Sequence, residues 1–261
     1  MADLYMSMQY SEGRPSYPQQ LFDFIASKTL SHDLAWDVGT GNGQSARSLA
    51  NIYKNVIATD KSPRQLEFAA KLPNIAYKCT SPCMSISELQ EKIGPKSSVD
   101  LVTIAQAMHW FDLPKFYEQV KWALKKPNGV IAAWCYTSPE VNPGVDSMFD
   151  RFYNVDAVPY FEMPPRRMVD ERYETIDFPF GPVNGLEHNG PFRFDSEKVM
   201  DLKGYFTYLK SWSAYQAAKE KGVELLSDEV VEGFTRAWNE DGKIEKVVKF
   251  PIYLRIGKVG P

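Results

Sequence analysis

The sequence predicts an α/β protein built on a mostly parallel sheet with helices on both faces. Three observations carry this. Short, nearly continuous apolar runs alternate with helical patterns through the first half of the chain. Runs of that kind suit strands buried on both faces, the environment of a parallel sheet. A glycine-rich turn, DVGTGNGQ at 37–44, follows the first run and opens the first helical pattern, where open α/β sheets bind their ligands.

The elements follow in order. LAWDVG (34–39) is a buried strand, and GQSARSLANIY (43–53) reads as a helix. NVIATD (55–60) is the second strand. Ser62 is a natural N-cap, with Pro63 at the first helical position of SPRQLEFAAKL. IAYKC (75–79) is the third strand, SISELQEKI (85–93) a short helix and VDLVTIAQA (99–107) the fourth strand. A helix then runs from Asp112 to Lys125 and stops near Pro127 and Gly129. GVIAAWCY (129–136) is the fifth strand.

Beyond Tyr136, proline and aromatic residues become frequent. Helical patterns return at 196–210 and 227–240, and EKVVKFPIYLRIGKV (245–259) alternates as a strand. RYETIDF (172–178) is expected to pair with that last strand, which brings the sheet to seven strands. The expected organisation is one domain over 1–261. Residues 1–30 form an arm and first helix, 31–137 a ligand-binding core, 138–225 a lid-like insertion, and 226–261 the terminal helix and strand.

Composition narrows the partners. The 261 residues are 44% hydrophobic and 24% charged, with a formal net charge of −3. These are ordinary globular proportions, and no basic excess exists to neutralise phosphates, so nucleic acid is not an expected partner. No run approaches membrane-spanning length, and the first residues lack the apolar stretch of a signal peptide. The three cysteines, Cys79, Cys83 and Cys135, are an odd, low count. That suits a reducing compartment, and a cytoplasmic location is expected. Cys79 and Cys83 have no second pair or histidine cluster, so no metal is expected.

The glycine turn then sets the ligand. Its spacing is G-x-G-x-G (Gly39, Gly41, Gly43), not the G-x-G-x-x-G of dinucleotide sites. Gln44-Ser45 lacks the lysine of a phosphate-binding P-loop. Asp37, two residues before Gly39, suits a ligand with a cationic amine, as in S-adenosylmethionine (SAM). Asp60 ends the second strand 17 residues past Gly43 (60 − 43), about where an acid holds a ribose diol.

DVGTGNG, then ATD, then VDLVTIAQAMHWFD resembles the class I SAM-dependent methyltransferases. GRPSYP (13–18) and QAMHWFD (106–112) are similar to their methyltransferase type 11 branch, which includes fungal trans-aconitate methyltransferases and related plant proteins. The likeness covers roughly residues 5–137. It implies a Rossmann-like fold and a SAM-dependent small-molecule methyltransferase. Asp37 and Gly39 would face the methionine part of SAM, with Gly41 beside it, and Thr40 and Gln44 are further expected cofactor-binding residues. Asp60 would bind the ribose, Lys61 would flank the adenine, and Gln65 is a further expected cofactor-binding residue. Tyr10 and Gln106 complete the expected set. Members often carry a small-acidic pair after the third strand; here the segment is CTSPC, and Ser81 is the candidate reader of the adenine edge.

His109 sits where the fourth strand meets the next helix, a loop position at the ligand edge. It is the candidate catalytic residue, either a base for a phenol or ammonium or an orienting donor for an ionised carboxylate. Candidate acceptor-binding residues are Arg14 and Tyr17 from the arm, Trp110, Phe149, Phe152, Trp212 and Tyr215. They imply a small apolar or aromatic acceptor methylated at O or N, with a carboxylate as one candidate. Two alternatives stand beside this reading: a SAM-binding protein of the same fold that does not methylate, and an NAD-dependent oxidoreductase.

Overall fold

A computed structural model describes residues 13–260; Tyr10 lies outside them. The elements are α1 (Gln19–Ala26), β1 (Leu34–Val38), α2 (Gln44–Leu49), β2 (Asn55–Asp60), α3 (Pro63–Glu67), β3 (Ile75–Cys79) and α4 (Ile86–Lys92). Then come β4 (Leu101–Ala105), α5 (Leu113–Ala123), β5 (Val130–Tyr136), α6 (Pro143–Arg151) and α7 (Pro165–Asp170). The chain closes with β6 (Phe192–Asp201), α8 (Leu202–Lys210), α9 (Ser213–Glu220), α10 (Asp228–Asn239) and β7 (Glu245–Lys258).

The strands form a seven-stranded sheet in the order β3-β2-β1-β4-β5-β7-β6, with helices on both faces. β1 pairs in parallel with β2 and β4, β2 with β3, and β4 with β5, while β7 lies antiparallel to β5. The strand order reverses between β1 and β4, so the crevice at their carboxyl ends is the ligand position of such sheets. β5 is buried along its whole length and Leu101–Ile104 of β4 are buried, which is why these strands read as unbroken apolar runs.

Local signals set the helix starts. Ser62 accepts a hydrogen bond from the Gln65 N–H at the head of α3. Ser85 and Glu88 form a reciprocal capping box on α4, and Asp112 caps α5. Ser227 does the same for α10.

Two expectations are corrected in the second half. RYETIDF is not a strand: Arg172 and Tyr173 have φ of 58° and 60°, a left-handed conformation that no extended strand adopts. The alternation of its apolar residues reflects a loop that buries Tyr173, Ile176, Phe178 and Phe180 in the core beside β4 and β5. The strand that fills the place is β6, whose second half had read as the start of a helix. Asp201 ends it and caps α8, accepting from the Gly204 N–H at 2.7 Å.

The described residues divide into two compact units, one of 17–136, 168–194 and 252–260, the other of 13–16, 137–167 and 195–251. The first holds the five parallel strands and a core around Trp36, Val102, Ile104, Phe116 and Ile131. The second has its own aromatic core, in which Phe152, Tyr205, Phe234 and Trp238 are almost fully buried.

Candidate active site

The glycine turn links β1 to α2, and all three of its glycines are left-handed, with φ of 63°, 56° and 81° at Gly39, Gly41 and Gly43. Two of them are also confined by their neighbours. A Cβ at Gly39 would lie 2.8 Å from the Ala107 Cβ, and one at Gly43 would lie 2.5 Å from the Tyr77 hydroxyl. Gly39 thus lets the turn approach the segment leaving β4. At Gly41 the nearest atom to an added Cβ is the Gln65 Oε1, at 3.9 Å, so the bare backbone there faces open room.

Asp60, at the tip of β2, is tied to this turn. One carboxylate oxygen accepts from the Gly41 N–H and the other from the Ser62 N–H, both at 2.8 Å. The two bonds fix the plane of the carboxylate. Each oxygen keeps a further acceptor site, because a carboxylate offers about four.

Asp37 is fully buried. Its carboxylate accepts from the Thr103 hydroxyl, opposite it on β4, at 2.6 Å and from the Thr40 hydroxyl at 2.5 Å. Burial pushes its pKa up to about 6, although the two threonines oppose the rise. In this conformation its two oxygens are each met by a threonine hydroxyl. Thr40 is likewise spent on Asp37, and its N–H donates to the Thr59 carbonyl at 3.0 Å. Thr103 was not among the expected residues; a lone polar residue inside VDLVTIA was its signal.

The segment after β4 carries Gln106, His109 and Trp110. Gln106 has φ of 53°, and its side chain is fastened to the backbone of β5, accepting from the Tyr136 N–H at 2.7 Å. It locks the tip of β4 to β5. His109 is half-buried in a single 3-10 turn, Met108–Trp110. Its Nδ1 lies 2.7 Å from the Tyr173 hydroxyl, and its ring centre 5.0 Å from that of Trp110, which is 48% exposed. Tyr173 is fully buried, and only the fold brings it to a histidine 64 positions away.

Residues 36–133 match the model of the methyltransferase domain family. A Dictyostelium discoideum protein named as a methyltransferase is 32% identical over 259 residues, spanning 97% of this chain and 93% of that one. The chain belongs to this methyltransferase family. A structure described as a type II methyltransferase, from Anaeromyxobacter dehalogenans, matches 95% of the chain and 99% of its own length, with a TM-score of 0.79 and 28% identity. A Saccharomyces cerevisiae protein named as a SAM-dependent methyltransferase is 31% identical over 143 residues, or 51% of this chain and 46% of that protein.

The cofactor of this methyltransferase is SAM, and the residues at the sheet edge fit it. The Gly41 backbone leaves room for a ligand, Asp60 would offer its oriented carboxylate to a ribose diol, and Asp37 would supply a buried acid favouring a cationic group. Gln44 opens α2 and is half-buried, whereas Lys61 is exposed. Gln65 lies on α3 beside Gly41. Ser81 is exposed, and its hydroxyl accepts from the Cys83 N–H at 3.2 Å.

The expected acceptor residues are distributed over both units. In the first, Tyr17 packs edge-on to Trp134 with ring centres 5.3 Å apart. In the second, Arg14 donates to the Ser211 carbonyl at 2.8 Å. Phe149, Phe152 and Trp212 are buried together, with the two phenylalanine rings 5.7 and 6.1 Å from the tryptophan. Tyr215 is buried and donates to Glu224 at 2.6 Å. Each of these side chains therefore has a packing role inside its own unit.

Proposed function

We propose that this methyltransferase acts on a small apolar or aromatic metabolite, at an O or N atom, with a carboxylate among the candidate acceptors. The observation that carries the cofactor half is the Asp60 carboxylate, held by the Gly41 and Ser62 N–H groups at the tip of β2. The aromatic character of the second unit and the net charge of −3 support a small organic acceptor over nucleic acid or a membrane surface.

Bound SAM supplies a methyl group on a sulfonium, an electrophile that leaves its bonding pair on sulfur. The chain's own work is to hold two reactants in line and keep water away, which can be worth about 7–11 kcal/mol at best. Asp60 would take the ribose hydroxyls through its remaining lone pairs. Asp37 would favour the cationic end of the ligand. His109 would meet the acceptor, taking a proton from a phenol or ammonium or orienting an acceptor already ionised.

Incubating the protein with a metabolite extract and isotopically labelled SAM tests the proposal. The expected result is a small metabolite that gains the labelled methyl group and appears far more slowly with His109→Ala. Turnover unchanged within about twofold in that variant removes His109 from the chemistry. SAM binding with no labelled product in any extract favours the non-methylating alternative.

A further inference from the structure

We infer that Tyr173 is a positioning residue that holds neutral His109 in the tautomer with its proton on Nε2 and an acceptor at Nδ1. The role this gives His109 toward the acceptor rests on the methyl-transfer reading above; the tautomer itself does not.

The argument is one of hydrogen-bond satisfaction. The Tyr173 hydroxyl is buried without exposure, so its proton needs an acceptor within the protein. Among the described residues, the acceptor in reach is the His109 Nδ1, at 2.7 Å. The backbone at His109 and Met108 favours negative charge on the tyrosine oxygen, so it offers no acceptor for the tyrosine proton. Were the histidine proton on Nδ1, that N–H would donate to the tyrosine oxygen across the same distance. The tyrosine proton would then be left without a partner, which disfavours that tautomer by about five- to 150-fold.

The backbone is built to deliver this hydroxyl. Arg172 and Tyr173 are consecutive left-handed residues that are not glycine, with φ of 58° and 60°, a strained pair that persists only where its surroundings hold it. Arg255 holds it: its Nη1 donates to the Tyr173 carbonyl at 2.6 Å. The Tyr173 N–H donates to the Met168 carbonyl at 2.9 Å.

A neutral ring in this tautomer presents N–H at its other edge, a donor and not a base. It suits an acceptor that arrives ionised, such as a carboxylate oxygen, over one that must first lose a proton.

Long-range 1H–15N spectra of the uniformly labelled full-length protein, recorded near pH 8 where a histidine of ordinary pKa is neutral, read the tautomer without any ligand. The protein has three histidines, His32, His109 and His188, and His109→Gln assigns the signal. The expected spectrum shows His109 with an unprotonated Nδ1 and a protonated Nε2. Tyr173→Phe should move both nitrogens toward values averaged over the two tautomers. A protonated Nδ1 in the wild type overturns the inference, and so does a Tyr173→Phe spectrum unchanged at His109. If that variant fails to fold, the wild-type spectrum decides alone. Loss of SAM binding with the tautomer intact would count against the methyl-transfer reading only.

Discussion

Replacing Asp37 with asparagine should stabilise the ligand-free protein and weaken its hold on SAM. The reasoning starts from burial. Asp37 has no exposed surface, and its pKa rises from 3.8 to about 6, chiefly through desolvation. A carboxyl whose folded pKa lies above its unfolded value is tolerated when protonated and costs stability when ionised. The loss therefore begins as the pH rises past 3.8 and is complete above 6. A rise of that size corresponds to roughly 3 kcal/mol at neutral pH, and to about half as much at pH 5. Asparagine is neutral throughout. Its oxygen can accept from one threonine hydroxyl while its amide donates to the other, once that hydroxyl rotates. Chemical unfolding of wild type and Asp37→Asn at pH 5 and pH 7.5 measures the difference. The variant should gain stability at both, by roughly 3 kcal/mol at the higher pH and about half as much at the lower. Its SAM affinity should fall by tenfold or more, since the charge that favours the ligand is gone. A variant less stable than wild type at pH 7.5, with the same pH slope, would refute the reasoning.

Other substitutions probe neighbouring parts. Asp60→Ala removes the acceptor of two backbone N–H groups and should weaken SAM binding by about 2–3 kcal/mol in a calorimetric titration. Gly43→Ala forces a side chain into φ of 81° and against Tyr77. Unfolding should show about 2–4 kcal/mol lost, part of it recovered in combination with Tyr77→Phe. Trp212→Ala removes the ring that Phe149, Phe152 and Tyr208 surround and should cost about 3–5 kcal/mol of stability. An unchanged melting temperature with lost turnover would instead assign Trp212 to the acceptor.

The legible parts of the fold were those whose cause is local. β1, β4 and β5 announce themselves because burial on both faces demands unbroken apolar runs, and Ser62, Asp112 and Ser227 announce helix starts because a side-chain oxygen must meet an orphan N–H. β6 was illegible because it is half-exposed and includes SEKVMD, residues that favour helices in isolation. RYETIDF misled because core burial from a loop imitates strand alternation; the left-handed pair at Arg172 and Tyr173 leaves no trace in composition. The site divides the same way. The glycines and Asp60 could be read from spacing along one βαβ unit. That Asp37 is sealed beneath Thr40 and Thr103, that Gln106 is bound to β5, and that Tyr173 reaches His109 follow only from strand order and burial.

The central claim is that the Gly39–Gly43 turn with Asp37 and Asp60 binds SAM. Calorimetric titration of the wild-type protein at neutral pH tests it most directly. SAM and its demethylated product should each bind at one site per chain with micromolar affinity, while NAD gives no heat beyond dilution. No binding of SAM, or a preference for NAD, would contradict the account.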